Sequence, residues 1–90
     1  MELQGAHVLI TGASRGIGAA MAREFAIAGA RVSLAARSVD GLTKVAAATG
    51  GLTFPVDLLD EDATDTLVAR VEAEAGPIDV LVNNAGLESR

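Results

Sequence analysis

Three observations predict an α/β chain built as a doubly wound parallel sheet. Short apolar, β-branched runs alternate with longer stretches whose apolar residues recur every three or four positions, and glycine-rich breaks separate the two kinds of segment. No two strand candidates follow one another without a helix candidate between them. That alternation demands crossover connections, so the strands should lie parallel with right-handed crossovers.

In order, Glu2 to Gly5 is a polar lead-in and Ala6 to Thr11 is the first strand. His7, the only histidine, has no second ligand or adjacent nucleophile in the sequence and reads as a surface residue at the strand's end. A helix is predicted from Gly16 to about Ala28, with Ile17, Ala20, Met21, Glu24, Phe25 and Ala28 at helical spacing and Gly29 as its end. Arg31 to Ala36 is a second strand. A second helix runs from an N-cap at Ser38 to about Thr49, with Leu42, Val45 and Ala46 inward, and Gly50-Gly51 stops it.

Leu52 to Val56 is a third strand, whose proline suits a sheet edge better than its centre. A third helix spans about Glu61 to Ala75, with Leu67, Val68 and Val71 inward, and Gly76-Pro77 ends it. Ile78 to Val82 is a fourth strand, apolar enough to be buried on both faces. Asp60, Glu61, Asp62 and Asp65 lack the alternating acids and central glycine of a calcium loop, and acids in a helix's first turn are stabilised by its dipole. We assign no metal ligand.

Composition bounds the function. The 90 residues carry seven basic and twelve acidic side chains, a formal charge of −5, with two Phe and no Trp or Tyr. An acidic chain with so few rings for base stacking argues against nucleic-acid binding. The absence of cysteine excludes disulfides and thiolate metal sites. The first residues lack a basic start and an apolar core, and no apolar run has membrane-spanning length, so a cytoplasmic location is expected.

The chemistry-bearing stretch is Leu9 to Gly18, LITGASRGIG, where a strand passes through Gly12, Gly16 and Gly18 into a helix. Glycine serves there to open backbone angles closed to other residues, to let the main chain approach a ligand, and to let helix and strand pack closely. The helix start presents unpaired amide N–H groups and a positive dipole end, which suits a pyrophosphate. The spacing is G-x-x-x-G-x-G rather than the general dinucleotide pattern G-x-G-x-x-G, so the glycines alone also fit a merely tight connection.

Thr11-Gly12-Ala13-Ser14-Arg15-Gly16-Ile17-Gly18 is similar to the cofactor loop of the short-chain dehydrogenase/reductase family, and Asn83-Asn84-Ala85-Gly86 resembles that family's second signature. The two stand in the family's order, and the resemblance covers the whole chain but only the first part of a family member. It implies a Rossmann-type sheet of about four strands in the order 3-2-1-4, with helices on both faces and incomplete relative to the family. It also implies a nicotinamide cofactor lying on Gly12, Ser14, Arg15, Gly16, Ile17 and Gly18, with Asp57 and Leu58 at the adenine and Asn84, Ala85 and Gly86 lining the cofactor beyond the fourth strand. Asp57 alone also fits a turn or helix cap.

In a dinucleotide fold, an acid at the tip of the second strand binds the ribose 2′-hydroxyl, whereas an arginine accommodates a 2′-phosphate. That tip reads Ala36-Arg37, without a carboxylate. In the family resembled, an arginine before the second glycine, here Arg15, and a basic residue after the second strand, here Arg37, mark preference for NADP(H) over NAD(H). At about 1.5–3 kcal/mol for each charge-assisted contact, two arginines favour the phosphorylated cofactor at least about a hundredfold. Two solvated loop arginines are the bland alternative.

The family's catalytic serine, Tyr-x-x-x-Lys pair and further asparagine have no counterparts here. Lys44 is the only lysine, Ser89 has no tyrosine beside it, and no catalytic residue is assigned. The resemblance implies hydride transfer between NADP(H) and a carbonyl or alcohol, in a homo-oligomeric complete protein of which these 90 residues are the cofactor-binding N-terminal part. A stand-alone half-Rossmann nucleotide-binding module and an assembly fragment pairing through its exposed sheet edge are the other readings.

Overall fold

The computed structural model describes residues 2–57 and 63–84. Seven elements alternate: β1 His7–Thr11, α1 Gly16–Ile27, β2 Arg31–Ala36, α2 Val39–Thr49, β3 Leu52–Pro55, α3 Ala63–Ala75 and β4 Val80–Val82. The strands form one sheet in the order β3-β2-β1-β4 with every neighbouring pair parallel. The predicted Rossmann-type order is therefore present, and the sheet is incomplete relative to the family's.

Alternation of side chains across β1 and β2 divides the core into two layers. Val8, Ile10, Val32, Leu34 and Ala36 face one way, toward Ala19 and Ala22 of α1 and Leu42 and Val45 of α2. Leu9, Ala35 and Phe54 face the other, against Leu67 and Val71 of α3, with Val68 packed alongside. Burial of a side chain such as Leu34 or Phe54 contributes about 1.5–3 kcal/mol relative to exposure. β3 is an outer strand, as Pro55 suggests. Ser38 caps α2, its hydroxyl accepting the Gly41 N–H at 3.0 Å, and Gly50 closes that helix in the left-handed region at φ 74°.

Three expectations require correction. His7 is not a surface residue: it is 1% exposed, and its ring lies 3.1 Å from the Gly76 and Pro77 carbonyls and 2.7 Å from Ser33 Oγ. Its partners are distant in sequence, so no local pattern announces them. The buried seam of α1 is Gly18, Ala19 and Ala22, with Ile17 at 61% exposure and Ala20, Glu24 and Ala28 outward. The three-to-four periodicity is right but its phase is rotated, because small residues let α1 sit close to the sheet. Finally, β4 is not buried on both faces: Val80 and Val82 are half-buried and Leu81 is 44% exposed. Among the described residues it pairs with β1 alone, and α3 packs over Leu9, Ala35 and Phe54 on β1, β2 and β3.

Candidate functional site

The strand order reverses at β1, flanked by β2 on one side and β4 on the other, and the carboxyl ends of β1 and β4 open the crevice in which such sheets bind ligands. The chain leaves β1 through Gly12 at φ 64° and enters α1 through Gly16 at φ 59°, both left-handed conformations that side chains disfavour. Gly18 serves the third purpose. A Cβ there would collide with the Gly12 carbonyl oxygen and stand 2.7 Å from Asn84 Nδ2, so helix, turn and the end of β4 meet where no side chain fits.

Asn84 completes the cradle. It is 2% exposed; its Nδ2 donates to the Gly12 carbonyl at 3.2 Å, and its backbone N–H donates to Thr11 Oγ1 at 2.9 Å. The Thr11 hydroxyl reaches back to the Val82 carbonyl at 3.3 Å and to Asn83 Oδ1 at 3.2 Å. The remaining oxygen of Asn84, Oδ1, is buried without a hydrogen-bond partner, an acceptor that would be satisfied by an incoming donor. Thr11 joins the site although the sequence marks it only as the last strand residue: its hydroxyl ties β1 to the Asn83-Asn84 turn. Threonine directly before the first glycine was the available signal.

The two helix starts near the crevice differ. α2 has a side-chain cap at Ser38 and an acid, Asp40, in its first turn. α1 has neither: its N-cap, Arg15, is extended with no side-chain cap bond, and its first turn holds no acid. The first amides of α1 thus keep donors and a positive dipole end for an anion. Arg15 and Ile17 are exposed beside that turn and Ser14 is half-buried under α2, whose Gly41 would have its Cβ 2.7 Å from Ser14 Cβ.

Arg37 is exposed immediately after Ala36, the last residue of β2, which is 8% exposed. Asp57 is exposed just after β3. The turn, Arg37 and Asn84 are thus grouped at the carboxyl ends of β1, β2 and β4, and Asp57 follows the same end of β3. Leu58, Ala85 and Gly86, expected at the adenine and beyond β4, lie outside the described residues, as do Asp60, Glu61 and Asp62. No helix among the described residues is long and apolar enough to cross a membrane.

The glycine cradle, the buried acceptor of Asn84 and the uncapped α1 fit a nicotinamide dinucleotide: the amides would receive its pyrophosphate, and Asn84 Oδ1 would accept from a donor nearby. Comparison with known proteins points the same way. The family model for short chain dehydrogenase matches residues 6–90. The chain is 42% identical over 94 residues to gluconate 5-dehydrogenase of Gluconobacter oxydans, covering 99% of this chain and 37% of that protein. It is 44% identical over 95 residues to a fatty acyl-CoA reductase of Mycobacterium tuberculosis, covering 100% of this chain and 32% of that one.

Among solved structures, L-sorbose reductase of Gluconobacter frateurii, complexed with NADPH and L-sorbose, superposes with a TM-score of 0.81 at 38% identity, covering 96% of this chain and 36% of that one. A short chain dehydrogenase of Bacillus anthracis gives a TM-score of 0.83 at 31% identity, covering 94% and 36%. The chain thus spans about a third of the length of these relatives. With the strand order, the glycine turn and the Asn84 contact all in place, the chain belongs to the short-chain dehydrogenase family.

Proposed function

We propose that residues 1–90 are the N-terminal, cofactor-binding part of a single Rossmann domain in an oxidoreductase that reversibly transfers a hydride between NADP(H) and a small carbonyl or alcohol substrate. The observation that carries this reading is the cradle in which Gly12, Gly18 and Asn84 meet beneath the uncapped start of α1. The nicotinamide ring, when bound, supplies the hydride. The chain's own residues bind and orient: the first amides of α1 hold the pyrophosphate, and Gly18 lets α1 sit close against the Gly12 carbonyl and Asn84. Ser14 and Ile17 line the turn, and Asn84 presents Oδ1 as an acceptor on the β4 side.

Preference for NADP(H) over NAD(H) rests on charge. Arg15 and Arg37 are exposed near the crevice and no carboxylate stands at Ala36. A guanidinium grips a ribose 2′-phosphate through two parallel hydrogen bonds, and the 2′-hydroxyl of NAD(H) offers no such partner. Asp57, Leu58, Ala85 and Gly86 complete the proposed cofactor contacts. In the complete protein we propose a cytoplasmic location and a homo-oligomeric assembly.

The competing reading is a nucleotide-binding module without chemistry. Both readings share these 90 residues, so activity of the longer protein is what distinguishes them. The chain titrated with NADPH and NADH, followed by a search for reductase activity in the protein encoded by its full reading frame, separates the two. Tight NADPH binding with no carbonyl reduction by that full-length protein would select the binding module.

A further inference from the structure

We propose that His7 is a positioning residue whose imidazole fixes the register of β4 against β1, and so holds Asn84 on Gly12 at the other end of the same strand pair. The tautomer follows from its neighbours. Nδ1 faces two carbonyl acceptors, Gly76 O and Pro77 O, each at 3.1 Å, so Nδ1 carries the proton. Nε2 pairs with the Ser33 hydroxyl, a group able to donate or accept, at 2.7 Å. One ring thereby joins β1, β2 and the connection from α3 to β4.

The backbone of His7 closes the clamp. Its N–H donates to Asp79 Oδ2 at 2.8 Å, and the Asp79 N–H donates back to the His7 carbonyl at 2.9 Å. The flanking bonds of this connection, Arg31 Nη1 to the Ala75 carbonyl and the Ile78 N–H to Glu72 Oε2, are solvent-exposed and hold it less firmly.

β4 needs such a clamp because its own ladder specifies register weakly. It contributes three residues, Val80, Leu81 and Val82, which pair with Val8, Leu9 and Ile10, and among the described residues it has no strand on its other side. A two-residue slip would keep the inward and outward faces unchanged and simply put Val82 where Val80 stood. It would also carry Asn84 about 6–7 Å along β1, out of reach of the Gly12 carbonyl. Thr11 resists that slip at one end of β1, and His7 resists it about 13 Å away at the other. The effect on cofactor binding rests on the proposed function; the effect on register does not.

Amide hydrogen exchange tests the register claim directly. The reporters are Asn84 N–H, bonded to Thr11 Oγ1, and Val56 N–H, bonded to the Ala36 carbonyl on the far side of the sheet. In His7→Leu, Asn84 should exchange at least about tenfold faster while Val56 changes by less than about twofold; His7→Gln, which keeps hydrogen-bonding capacity, should restore part of the protection. A control destabilised to the same Tm on the α2 side, Val45→Ala, should speed both amides alike. Unchanged Asn84 protection in folded His7→Leu, or equal acceleration of both amides, would overturn the proposal.

Should His7→Leu not fold, Ser33→Ala removes only the Nε2 partner and is read by the same pair of amides. NADPH affinity should fall at least about tenfold further in His7→Leu than in Val45→Ala. If the unaltered chain binds no NADPH, the cofactor reading fails while the exchange pair still decides the register claim.

Discussion

Asn84 Nδ2 donates to the carbonyl oxygen of Gly12 at 3.2 Å, joining the end of β4 to the turn that begins α1. Gly18 packs against that same oxygen. One backbone carbonyl is thus the meeting point of the two signatures.

Gly18→Ala should therefore damage the site out of proportion to its size. The added methyl collides with the Gly12 carbonyl, and relief requires α1 to move outward or the turn to reshape. We expect a loss of about 1–3 kcal/mol in chemical denaturation and no saturable NADPH binding in the folded fraction.

Asn84→Ala removes the donor to Gly12, and Thr11→Val removes the acceptor of the Asn84 amide. Each should cost about 1–3 kcal/mol, since a buried polar partner is left unpaired. The pair should be non-additive in a double-mutant cycle, with a coupling energy of about 0.5 kcal/mol or more. Strict additivity would mean that the two residues hold the turn independently.

Arg37→Ala should weaken NADPH binding by about 1.5–3 kcal/mol, roughly ten- to a hundredfold, with NADH affinity nearly unchanged. Arg37→Lys should recover only part of the loss, because an ammonium cannot make the paired bonds of a guanidinium. Parallel titrations with both nucleotides read the effect.

Ser38→Ala should cost about 0.5–2 kcal/mol, through loss of the cap on the Gly41 N–H, whereas Ser38→Gly should cost only a few tenths. Thermal melts of the two variants give the comparison. Because the cap lies next to Arg37, Ser38→Ala should also weaken NADPH binding modestly.

Most of the fold is legible in the sequence because it depends on local periodicity. The alternation of Val8, Leu9 and Ile10 on β1, the glycine that ends α2 and the Ser38 cap each act within a few residues. The features that differ from the sequence expectation depend on partners far along the chain. His7 looks solitary until folding brings Gly76, Pro77 and Ser33 around it. On α1 the three-to-four spacing of Ile17, Ala20, Met21, Glu24, Phe25 and Ala28 marks a helix but does not fix its inner face: close approach of Gly18 to Gly12 turns the small residues in and leaves Ile17 outside.

At the site, the glycine turn is legible from its spacing and Asn84 from its likeness to a family signature, and the structure brings Gly12, Gly18 and Asn84 together. Thr11 as a bridge has only a faint signal, its place directly before the first glycine, because a threonine in a β-branched run has an ordinary strand role. The burial expected of β4 is not reached for a related reason: an apolar run reports what a strand can tolerate, and its neighbours decide what covers it.

The central claim is that the 90 residues already assemble a cradle for a phosphorylated nicotinamide dinucleotide. The most direct test is a titration of the folded chain with NADPH, followed by nucleotide fluorescence, with NADH alongside. Saturable binding that prefers NADPH at least about tenfold, and loses that preference in Arg37→Ala, is the predicted result. A well-folded chain that shows no saturation with NADPH up to about 1 mM, or binds both nucleotides equally, would contradict it.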